Sequence, residues 1–120
     1  MKTILAIEDS RSDMLFLESC LIDAGYHMIG VTDYRTAKEY LKTASPDLII
    51  VDVMLPDCSG FEICRAFKLD NKISKTPVVI CSSKQTEVDR LWGQMLGVDG
   101  YVGKPVQVQE ILSLLHSLLA

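Results

Sequence analysis

A chain of 120 residues with 48% hydrophobic and 23% charged side chains carries enough apolar material for one core of ordinary domain size, and nothing in it reads as a disordered tail, a linker or a repeat. Its net charge of −4 offers no basic stripe for nucleic acid or an anionic membrane surface, and its apolar runs fall far short of the roughly 20 residues that a membrane span requires. The expectation is one domain over residues 1–120 with no output domain, in a reducing cytoplasm, since Cys20, Cys58, Cys64 and Cys81 lack CxxC spacing.

Short apolar runs alternate with amphipathic stretches, which predicts βαβ units, a parallel sheet and helices on both its faces. Thr3–Ile7 is the first strand, broken by Glu8-Asp9 too early for a signal peptide. Met14, Leu15, Leu17, Leu21 and Ile22 recur at helical spacing, and Gly25 is placed to end that helix in a left-handed turn. Met28–Val31 is the second strand, followed by a helix marked by Ala37, Tyr40 and Leu41. Leu48–Val51 is a third strand, apolar throughout as burial on both faces demands. Ser59-Gly60-Phe61-Glu62 then opens a third helix with a capping-box pattern. Val78–Cys81 is the fourth strand, Val88, Leu91, Trp92, Met95 and Leu96 mark a fourth helix ending at Gly97, and Gly100–Val102 is the fifth strand. Pro105 suits the first turn of a fifth helix carrying Val108, Ile111, Leu112, Leu115 and Leu118.

In doubly wound folds the ligand crevice lies beyond the carboxyl ends of the strands, where strand order reverses. Glu8 and Asp9 follow the first strand and Asp52 ends the third, so neighbouring strands would set three carboxylates around one hollow. At a separation of about 5 Å and an effective dielectric near 20, each ionised pair repels by roughly 3 kcal/mol, a strain that a divalent cation relieves. An all-oxygen set favours Mg²⁺, with Mn²⁺ as a substitute, over zinc or copper. A carboxylate beside such a cation can take up a phosphoryl group as an aspartyl phosphate. Ser82 offers a hydroxyl and Lys104 a cation at the same end of the sheet. Taken singly, Ser82 is a loop cap and Lys104 a solvated charge. Asp52 is different, because a carboxylate ending so apolar a run is costly unless something pairs with it.

The succession Ile7-Glu8-Asp9-Ser10, Val51-Asp52-Val53-Met54-Leu55-Pro56-Asp57 with Ser59-Gly60, Cys81-Ser82 and Tyr101-Val102-Gly103-Lys104-Pro105 resembles the CheY-like receiver domains of two-component response regulators across the whole chain. The resemblance implies a flavodoxin-like, doubly wound (βα)5 fold with a five-stranded parallel sheet in the order 2-1-3-4-5. It implies that Asp52 is the phosphoacceptor, with Mg²⁺ held by Glu8, Asp9, Asp52 and the backbone carbonyl of Met54. It also implies that Ser82 and Lys104 grip the phosphoryl group, that Tyr101 turns inward on activation, and that the bond before Pro105 is cis. The implied partners are a sensor histidine kinase or histidine phosphotransfer domain upstream and a protein target on the face of the fourth helix, fifth strand and fifth helix. Such a protein is a phosphoacceptor, not a turnover enzyme. Met54 and Lys84 occupy positions that influence phosphoryl lifetime, and an apolar Met54 predicts slow self-dephosphorylation. The stretch from Lys84 to Gly93 is similar to stand-alone regulators of twitching-motility and chemotaxis-like systems.

Two other classes share parts of this equipment. A phosphatase with an aspartyl-phosphate intermediate would place two aspartates one residue apart after the first strand, and Glu8-Asp9-Ser10-Arg11 does not. A receiver-like scaffold that binds its partner without phosphorylation would have no use for an intact acidic pocket. Trp92 reads as core packing or as a partner contact, and Tyr101 equally as an edge-strand aromatic with a wet hydroxyl.

Overall fold

The computed structural model of the chain describes residues 1–83 and 97–120. Its elements are β1 (Thr3–Ile7), α1 (Arg11–Asp23), β2 (His27–Val31), α2 (Tyr34–Leu41), β3 (Leu48–Asp52), α3 (Gly60–Leu69), β4 (Val78–Ser82), β5 (Gly100–Gly103) and α4 (Val108–Leu119). The helix expected around Val88, Trp92 and Met95, and with it Lys84, falls outside the described residues.

All strand pairs are parallel and the order is β2-β1-β3-β4-β5, so the order reverses between β1 and β3 as expected. Period-two alternation splits the strand side chains between two cores. Leu5 and Ile7 of β1, with Ile49 and Val51 of β3, pack against Ala37 and Leu41 of α2 and Ile63, Cys64 and Phe67 of α3. Ile4, Ala6, Leu48 and Ile50 point the other way, onto Leu17 and Leu21 of α1 and Ile111 and Leu115 of α4. Every residue of β3 and β4 is buried. That explains their unbroken apolar runs: a central strand covered on both faces has no solvent side on which to place polar residues.

Helix ends follow local chemistry. Ser10 caps α1 by accepting from Asp13 N–H at 3.4 Å, and Gly25 (φ +91°) turns the chain after it, a backbone conformation that costs glycine little. Leu15 and Ile22 are nonetheless more than half exposed, so the core stripe of α1 is narrower than the sequence suggests. Ser59 caps α3 through Phe61 N–H at 3.3 Å, while the Glu62 carboxylate accepts from the Cys58 thiol at 3.4 Å. Pro105 does not open the last helix. It follows a cis Lys104–Pro105 bond in the turn after β5, and α4 begins at Val108 with Gln107 at its cap position.

Candidate functional site

Strand register gathers the residues singled out in the sequence. β3 and β4 pair Asp52 with Cys81, and β4 and β5 pair Ser82 with Gly103. Asp52 and Ser82 are therefore the last residues of their own strands, one position earlier relative to the loops than expected, and Lys104 is the first residue beyond β5. Lys104 N–H donates to the Ser82 carbonyl at 2.9 Å, and Glu8 N–H donates to the Val31 carbonyl at 2.9 Å. The backbone at this rim is thus tied down on both sides of the crevice.

Lys104 is the centre of the arrangement. Its Nζ donates to Glu8 Oε1 at 2.7 Å and to Asp13 Oδ2 at 2.8 Å, and stands 3.6 Å from Asp52 Oδ2. Glu8 is 2% exposed and Asp52 7%, which makes the ammonium the counter-ion that lets two carboxylates sit in a nearly dry pocket. Burial lifts the Glu8 carboxyl above the ordinary glutamate range; its bonds from Lys104 and from Ser10 N–H pull it down, and the nearby Asp52 pushes it up. Burial alone would lower the pKa of Lys104, but the hydrogen bonds to Asp13 and Glu8, with the charges of Glu8 and Asp52, outweigh it and raise it. Lysine is thereby held as a cation.

Asp9 is exposed where Glu8 is buried. Asp13, from the first turn of α1, supplies the third carboxylate. Sequence reasoning passed over it because an acid there also reads as a partner for the helix dipole. Among the described residues no three acid, His or Cys side chains meet as they would around a metal ion, and the Lys104 ammonium sits between the carboxylates instead. The donor set still suits a hard dication: three carboxylates face one ammonium, and every candidate ligand is oxygen.

The remaining candidates lie close by in the fold. Ser82 is fully buried. Met54 is 60% exposed, and its N–H donates to Asp52 Oδ1 at 3.3 Å. Tyr101 is half-buried against the α2–α3 side of the sheet. The Cys58 thiol is pushed up by burial and then by Glu62 and Asp57, which keeps it protonated and weakly nucleophilic. No helix among the described residues is long and apolar enough to cross a membrane.

Comparison with known proteins agrees with this geometry. Residues 4–116 match the response regulator receiver domain family. The chain is 32% identical over 118 residues to the transcriptional regulatory protein GltR of Pseudomonas aeruginosa, covering 98% of this chain but 49% of that protein, and so spans about half the length of several regulators it matches. It is 28% identical over 120 residues to Protein PilH of the same organism, covering 100% of this chain and 99% of PilH. The structure of the chemotaxis response regulator CheY4 of Vibrio cholerae superposes with a TM-score of 0.91 at 29% identity, covering 99% of both chains. A β2-β1-β3-β4-β5 sheet with a lysine-centred acidic crevice at the switch point, together with a match over nearly the whole chain, places this protein in the receiver domain family of two-component response regulators.

Proposed function

We propose that the chain is a phosphorylation-operated signalling switch that accepts a phosphoryl group on Asp52 from a sensor histidine kinase or a histidine phosphotransfer domain. The observation that carries this reading is the position of Lys104 Nζ, inside a ring of three carboxylates and 3.6 Å from Asp52 Oδ2. A buried carboxylate with a cation beside it is both a nucleophile and a landing site for a charged group. In the transfer, an Asp52 oxygen bonds to phosphorus as the phosphorus–nitrogen bond of the donor imidazole breaks. The bonding pair stays on the ring nitrogen, which takes a proton from solvent.

Glu8, Asp9, Asp52 and the Met54 carbonyl would hold Mg²⁺, or Mn²⁺ in its place. When bound, the ion offsets charge on the phosphoryl oxygens. Lys104 then exchanges its carboxylate partners for a phosphoryl oxygen, and the Ser82 hydroxyl donates to another. Tyr101, half-buried on the α2–α3 side of the sheet, moves inward as Ser82 is drawn toward the phosphoryl group, and the face carrying β5 and α4 changes its affinity for a downstream protein. The protein supports its own phosphotransfer and slow autodephosphorylation and is not otherwise an enzyme. Free cysteines, two of them fully buried, suit a cytoplasmic setting, and the full-length similarity to PilH and CheY4 favours control of type IV pilus motility or taxis.

Intact-mass spectrometry after incubation with acetyl phosphate tests this. One phosphoryl addition that needs both Mg²⁺ and Asp52, and is absent in Asp52→Asn, is the expected result. No addition to wild-type protein that binds Mg²⁺ would refute the switch and favour the constitutive scaffold.

A further inference from the structure

We propose that Asp57 is a positioning residue for Asp52 and its metal site, an inference that rests on the function proposed above. The turn between β3 and α3 is closed on itself. Gly60 N–H donates to the Val53 carbonyl at 2.9 Å, and Met54 and Ser59 form an isolated antiparallel bridge inside that bond. From this turn Asp57 reaches to α2, where Oδ1 accepts from Tyr34 N–H and Oδ2 from Arg35 N–H, each at 3.1 Å. The next amide of α2, Thr36 N–H, is taken at 2.7 Å by Asp33.

Asp33 is the ordinary N-cap of this helix and suffices to start it. Asp57 adds a fork. Two oxygens on two successive amides fix the direction as well as the distance of the turn relative to α2, which a single bond would not do. α2 is itself anchored, with Ala37 and Leu41 buried and Tyr34 set edge-on to Phe67 of α3 at 6.1 Å between ring centroids. At the other end of the same turn, Met54 N–H donates to Asp52 Oδ1 at 3.3 Å. A continuous path therefore runs from α2 through Asp57 and the closed turn to Met54, and from Met54 to the phosphoacceptor. Removing Asp57 frees the turn on its outer side, and the N–H that orients Asp52 and the carbonyl offered to the metal move together.

The simpler account is that Asp57 only adds a second cap to a surface helix. Asp33 separates the two accounts, because it caps the same helix without touching the turn. The experiment compares wild type, Asp57→Ala, Asp57→Asn and Asp33→Ala by calorimetric Mg²⁺ titration without phosphodonor, by the metal-free amide spectrum and by thermal unfolding. Asp57→Ala is expected to weaken Mg²⁺ binding about tenfold, the scale typical of a lost outer-shell partner, and to shift the Met54 amide. Asp57→Asn, which keeps one carbonyl acceptor, should fall between. Asp33→Ala should lower the unfolding midpoint yet leave the Met54 amide in place and Mg²⁺ affinity within about twofold of wild type. Equal effects of Asp33→Ala and Asp57→Ala on Mg²⁺, or an unmoved Met54 amide in Asp57→Ala, would overturn the proposal. If wild type takes up no Mg²⁺, the metal reading itself fails, and the Met54 amide in the two alanine variants decides the role of Asp57. Acetyl phosphate labelling of wild type, run alongside, tests the switch separately.

Discussion

Gly60 is the first residue of α3, and the backbone at the end of β3 lies against it. A Cβ at Gly60 would meet the Asp52 carbonyl oxygen, the Val53 Cα and the Asp52 carbonyl carbon, the last at 3.0 Å and the other two at 2.4 and 2.6 Å. All three atoms are backbone, so no side chain can rotate away, and either the helix or the strand end must move. Gly60→Ala should therefore cost about 1–3 kcal/mol, the usual range for an overpacked interior, with little helix-propensity gain to offset it at a helix end. For a domain of this size that corresponds to a fall of roughly 4–12 °C in the thermal midpoint, measurable by calorimetry. Two of the three displaced atoms belong to Asp52 itself, so phosphorylation by acetyl phosphate should slow as well. A midpoint within about 1 °C of wild type would refute the reasoning, since it would mean that the β3–α3 approach is not tight in solution.

Asp13→Asn removes one carboxylate from around Lys104; at about 8 Å in a water-like dielectric an acid contributes on the order of 1 kcal/mol to holding a dication, so Mg²⁺ affinity should fall about fivefold by calorimetry, and unchanged or tighter binding would contradict this. The thiols of Cys64 and Cys81 are both pushed up by burial to about 12, so iodoacetamide should label neither in the native protein and both after denaturation. Because their folded pKa lies above the unfolded one, the folded state holds those protons longer, and stability should drop as pH rises above about 9; the Cys64→Ala/Cys81→Ala protein should lose less between about pH 8 and pH 10 in urea titrations. Asp99 accepts from Val78 N–H at 2.8 Å and pairs with Lys68 at 3.2 Å, so Asp99→Ala should cost about 1–3 kcal/mol in urea unfolding. Glu39→Ala, which breaks an exposed i,i+3 pair with Lys42, should leave the urea midpoint nearly unmoved.

Strands were readable because burial on both faces leaves an unmistakable mark: β1 is bounded as expected, and β3 and β4 each extend one residue further, through Asp52 and Ser82. Ser82 reads as a loop residue because an apolar run ends where it begins, although the hydrogen-bonded ladder carries on through it. The start of α4 was misplaced for a related reason. Proline is suited to a first helical turn and equally to the tight turn that precedes one, and local sequence does not distinguish them. In the site, Asp52, Ser82 and Lys104 were legible from their positions after strands. The buried Glu8 and exposed Asp9 were not separated, because how deep each of two adjacent acids lies depends on strand phase and on what packs against it. Asp13 and Asp57 were invisible as partners, since each works by reaching an element distant in sequence.

The bond from Lys104 to Glu8 spans 96 positions and joins the residues just beyond β1 and β5, two strands that are not neighbours in the sheet. On the ribosome, Glu8, Asp13 and Asp52 all emerge well before their counter-charge does. A nascent chain could pair β1, β2 and β3 and still carry three acids with no Lys104 among them. Closing the crevice therefore waits until β5 has been made and has paired with β4, which brings Lys104 to the acids.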